Sequence, residues 1–101
     1  MLGEIVRGLT DAATAEAIIA DVGRPEILAR IQATSQADAV PVGTLVASRV
    51  RHVIEHGGEE IWVDLIGVMA GSPQPGAAAI DRMLAYAFPD PVRVRIKRSG
   101  A

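Results

Sequence analysis

His52 and His56 stand four residues apart, with Glu55 between them and Arg49 three residues ahead of His52. On a helix that spacing puts both imidazoles and the guanidinium along one stripe, because residues three and four apart are surface neighbours. Two imidazoles so placed are spaced to grip a metal ion, and a carboxylate beside them can serve as a base. With Arg51 close by, the same stripe offers cations to an acidic group or a small anion. Arg49, His52, Glu55 and His56 are therefore the candidate polar site.

His52-Val53-Ile54-Glu55-His56 spells H-x-x-E-H, and these five residues resemble the inverzincin metalloprotease signature. The resemblance implies a zinc hydrolase whose further carboxylate ligand lies far downstream in a much larger domain. Here the only glutamates after His56 are Glu59 and Glu60, practically adjacent. Two His ligands fall short of the three protein ligands of a catalytic zinc. The expectation is no metal, no cofactor and no catalytic set. His52 and His56 then edge an amphipathic helix, with His56 near its negative end.

Other chemistry finds less. The chain has no cysteine, which removes disulfides, thiolates and Cys-based metal sites. Gly71-Ser72-Pro73 is a turn, not a nucleophile elbow, and the sole lysine, Lys97, follows no phosphate-binding glycine loop. Gly67 and Gly71 form a G-x-x-x-G, which in a helix that does not span a membrane permits close helix packing.

Charge is unevenly spread. Residues 1–90 hold six basic and twelve acidic groups, a net of −6, whereas Arg93, Arg95, Lys97 and Arg98 make residues 91–101 +4. So acidic a body is ill suited to phosphate backbones, which need concentrated Lys and Arg. One Trp, one Tyr and one Phe give no platform for stacking bases. A helix-turn-helix reading takes residues 25–35 and 42–56, with Thr44, Ser48, Arg49 and Arg51 toward the groove. Its connection is longer than the usual turn of three or four residues. The basic tail keeps a nucleic-acid-associated regulator as a weaker alternative.

Glu4 and Arg7 interrupt any apolar leader segment, and no window nears the 18 or so apolar residues of a spanning helix. A soluble, cytoplasmic protein without a membrane role is expected. Arginine supplies nine of the ten basic residues, which reads as the codon bias of a GC-rich, bacterial genome.

The elements that must position these residues follow from periodicity. Leu2, Ile5, Val6 and Leu9 form a helical stripe that either continues to Val22 or restarts at a Thr10 or Asp11 cap. Pro25 opens a short helix with Ile27, Leu28 and Ile31 inward, and Thr34–Ala39 reads as a frayed end or loop. Val42, Leu45, Val46, Val50, Val53 and Ile54 mark the next helix. After Gly57-Gly58, residues 59–70 are apolar almost all round, the pattern of a buried helix, with Asp64 as its one water-facing side. A last helix carries Ala77, Ile80, Met83, Leu84, Ala87 and Phe88 and stops at Pro89. Val92–Lys97 alternates like a strand.

The sequence therefore predicts an all-α bundle of four or five short helices over residues 1–90, with a basic, strand-like extension at 91–101. Val50, Ile54, Trp62, Leu65, Ile66, Ile80 and Leu84 are its expected centre. The alternative is an α+β fold with a 45–69 hairpin turning at Gly57-Gly58 and the tail as third strand. Half of the chain is hydrophobic before its ten glycines are counted, against roughly 45–50% with glycine included in ordinary domains. Surplus apolar surface marks partner sites. The expected function is a non-catalytic protein–protein interaction or assembly module, by self-association or with a protein partner. A small-ligand or metal-binding protein working through Arg49, His52, Glu55 and His56 is the alternative.

Overall fold

Leu2, Ile5, Val6 and Leu9 wind into helix α1 (Leu2–Leu9). The chain breaks at Thr10, whose hydroxyl donates to the Val6 carbonyl at 2.9 Å. It restarts at Asp11, whose Oδ2 accepts from the Thr14 N–H at 3.0 Å and the Thr14 hydroxyl at 2.7 Å. That cap satisfies a donor which the start of α2 (Ala12–Val22) would otherwise leave bare. The apolar stripe through residues 2–22 is thus two helices, which brings the total to six. The computed structural model describes residues 2–89, so the alternating Val92–Lys97 segment lies outside the described residues.

Pro25 occupies the first turn of α3 (Pro25–Asp38), which is followed by α4 (Val42–His56), α5 (Glu59–Ala70) and α6 (Pro75–Ala87). No strand occurs among the described residues. Residues 45–69 are helical on both sides of Gly57-Gly58, so the hairpin does not form. The helical period prevails because it alone gathers Leu45, Val46 and Val50 into one buried stripe.

Thr34–Ala39 differs from the loop expected there, since α3 runs through Asp38. The Thr34 hydroxyl donates to the Arg30 carbonyl at 2.9 Å, and the Ser35 hydroxyl donates to the Val40 carbonyl. Ala39 takes the left-handed conformation (φ 56°), and its N–H and that of Val40 both close on the Ser35 carbonyl. Local polar side chains thereby supply the termination that a glycine would usually supply. Only Ala39–Pro41 then connect α3 to α4, within the length of a helix-turn-helix link rather than beyond it.

Helix α4 is the centre of the fold, packed against α1, α2, α3 and α6. Gly43 lies buried where its first turn meets that of α2, and a Cβ there would run into the Ala12 carbonyl. The core joins Leu9, Ile19, Ile27, Ile31, Leu45, Val46, Val50, Leu65, Met83, Leu84 and Phe88. Of the expected centre, Val50, Leu65 and Leu84 are fully buried, and Ile54, Trp62 and Ile80 flank the core half-buried. Ile66 is a correction: it is 58% exposed.

Candidate functional site

The last two turns of α4 carry His52, Glu55 and His56, all three exposed. The two imidazoles stack with ring centroids 4.2 Å apart and planes 27° from parallel. His56 Nδ1–H donates to the His52 carbonyl at 3.1 Å, which engages one of the four ring nitrogens within the helix itself. Rings stacked face to face do not converge their nitrogens on one point, as chelation needs. Among the described residues, no three His, Asp or Glu side chains come close enough together to hold a metal. The arrangement presents a titratable aromatic pair to solvent.

Arg49 does not join them. Its side chain turns the other way, toward the end of α6, where Nη1 donates to the Ala87 carbonyl at 3.2 Å. The guanidinium carbon lies 5.2 Å from the Phe88 ring centroid, a cation–π placement. The cause is the helix dipole: the last carbonyls of α6 lack intrahelical partners and concentrate negative charge. Arg30, from α3, reaches the same place and donates from Nη1 to the Phe88 carbonyl at 2.5 Å. Arg51 likewise donates to a terminal carbonyl, that of Thr10 at 2.9 Å. The four candidate residues therefore divide into the His52–Glu55–His56 edge and an Arg49 that joins Arg30 at the end of α6. Sequence reasoning passed over Arg30, which stands 19 positions from Arg49 on a different helix and leaves no local spacing signal.

The other departure concerns α5, which packs mainly on α6. Leu65 alone of its residues is fully buried, while Val63 is 68% and Ile66 58% exposed, with Gly67 and Ala70 beside them in the open. The buried, all-round apolar helix expected at 59–70 is thus a peripheral one. Asp64, expected on the water side, turns toward α6. There it pairs with Arg82 at 3.0 Å and accepts from the Tyr86 hydroxyl at 2.6 Å. That hydrogen bond to a carboxylate holds the phenolic proton and pushes the Tyr86 pKa above its usual value. Asp64 thus faces the protein while Val63 and Ile66 face solvent, an inversion that periodicity alone does not reveal.

No described helix is long and apolar enough to cross a membrane. Comparison with protein-family models, with curated proteins and with solved structures finds no match.

Proposed function

We propose that this chain is a non-catalytic interaction or assembly module that works through the outer face of α5. The observation that carries the reading is the adjacency of Val63 and Ile66, one turn apart and both more than half exposed. Burying such a side chain fully contributes roughly 1.5–3 kcal/mol relative to leaving it in water. Gly67 strengthens the case, because beyond its own helix no atom lies within 4 Å of where its Cβ would be, so a second backbone can come close there. The supported partner is a protein, first of all a second copy of the chain. The acidic balance of residues 1–90 weighs against a nucleic-acid partner, which needs concentrated Lys and Arg.

Sedimentation equilibrium over a wide concentration range tests this reading. The parent protein is expected to self-associate, and a Val63→Asp, Ile66→Asp double variant to sediment as a folded monomer. Association that survives both substitutions unchanged, or a parent that stays monomeric throughout, overturns self-assembly through α5.

A further inference from the structure

We propose that the cleft between α3, α4 and the C-terminal end of α6 binds a small organic monocarboxylate with a compact apolar body. This inference is independent of the α5 face. The cleft is lined by Arg30, Ala33, Thr34, Arg49, Phe88 and Pro89 and has a volume of about 360 Å³. That lies within the range of roughly 300–1,000 Å³ typical of small-molecule sites. The groove between α2 and α3 is smaller, about 230 Å³, and its one charged lining residue is Glu16.

Charge makes the cleft unusual in this molecule. Arg24 is paired with Asp81 and Arg82 with Asp64, so those cations are already neutralised. Arg7, Arg30, Arg49 and Arg51 have no carboxylate partner among the described residues, and of these only Arg30 and Arg49 line the cleft together. Each of these two spends an N–H on a carbonyl at the C-terminal end of α6 (Ala87 or its cap Phe88) and keeps most of its five donors. Those carbonyl bonds, with the seat of Arg49 over Phe88, hold both guanidiniums in place before any ligand arrives. A planar fork already held in position loses little entropy on receiving a carboxylate and matches its geometry with two parallel bonds.

The remaining walls select the rest of the ligand. Ala33, Phe88 and Pro89 present carbon, so an anion with an apolar body covers more of the lining than a hydrated inorganic one. The negative end of α6 offsets part of the paired positive charge, roughly half an elementary charge. A monoanion also costs less to desolvate against the apolar walls than a dianion does.

The test is a titration of the full-length, ¹⁵N-labelled protein at constant ionic strength, following the arginine Nε–Hε resonances. The probes are benzoate, its uncharged isostere benzamide, and inorganic phosphate. Benzoate is expected to shift Arg30 and Arg49 saturably, and benzamide to bind about tenfold more weakly or worse, as loss of a charge-assisted pair implies. Phosphate is expected to be weaker than benzoate. Arg30→Gln and Arg49→Gln should each weaken benzoate about tenfold, while Arg49→Lys, which keeps charge but loses the fork, falls between. The proposal is overturned by any of three results: no saturable shift with benzoate, benzamide or phosphate equal to it, or folded Gln variants that bind as well as the parent. Should a Gln variant fail to fold, the benzoate–benzamide contrast on the parent still decides.

Discussion

Helices α4 and α5 are separated by two glycines, and both are rich in Val, Ile and Leu, yet they end in opposite circumstances. Helix α4 buries Leu45, Val46, Ala47 and Val50. Helix α5, with the higher apolar share, buries only Leu65. The difference is the number of neighbours. Four helices surround α4, whereas α5 rests mainly on α6, and one neighbour covers only one stripe of a helix. Apolar composition thus measures how much burial a helix can use, not how much it receives. What α4 spends on the core, α5 has left over, and the surplus on α5 is the surface that supports an assembly role.

The sharpest way to break this contrast lies within α5 itself. Leu65→Ala should destabilise the fold by about 2–5 kcal/mol, as deletion of a fully buried leucine does. Ile66→Ala should stay within about 0.5 kcal/mol, as at an ordinary surface position. Urea unfolding, at a concentration where both variants are monomeric, reads the two values. Equal losses would mean that α5 is a core helix after all.

Glycines give a smaller contrast between the two helices. Gly43→Ala presses a methyl group on the Ala12 carbonyl and should cost about 1–3 kcal/mol, because backbone must move. Gly67→Ala meets nothing within 4 Å and should stabilise the monomer by up to about 1 kcal/mol through helix propensity. Thermal unfolding of both variants checks the pair. If the α5 face assembles as proposed, Gly67→Ala also weakens self-association.

Acid should act on the α4 side of the molecule. Helix α2, laid along α4, is capped by Asp11, while α5 starts at Gly58 with no side-chain cap. Hydrogen bonds from the Thr14 hydroxyl and then the Thr14 N–H hold the Asp11 pKa below its ordinary value of 3.8. Folding therefore favours the ionised carboxylate. Its contribution is complete above 3.8 and is lost as pH falls through the lower folded value. Asp11→Ala should be less stable than the parent at neutral pH and lose less on further acidification. Melting temperatures between neutral pH and about pH 2 read the difference, and parallel acid profiles would remove Asp11 from the account.

Most of the helical fold was legible because the period of the apolar residues survives any arrangement of neighbours. Leu45, Val46 and Val50 share a face whatever covers it, and Gly23 and Pro25 punctuate the chain through backbone constraints that act locally. The end of α3 was harder to read, because Ser35 and Ala39 terminate it through a hydroxyl bond and a left-handed alanine instead of a glycine. The polar site was legible only as a stripe. Spacing placed Arg49 beside His52, but a long flexible side chain goes where charge draws it, and here it goes to the end of a helix 38 residues away along the chain.

The sequence by itself determined that residues 2–89 are mainly helical, the apolar faces of α1, α3, α4 and α6, and the absence of thiol chemistry. These are properties of local spacing and residue type. Only the tertiary structure decided that α4 is central and α5 peripheral. It also decided that Asp64 turns inward while Val63 and Ile66 face water, and that Arg30 and Arg49 meet over the end of α6. The reason is that burial and electrostatic pairing depend on which elements pack together. An apolar stripe specifies that something must cover it, and a guanidinium that something negative must receive it, but neither says which part of the chain will do so.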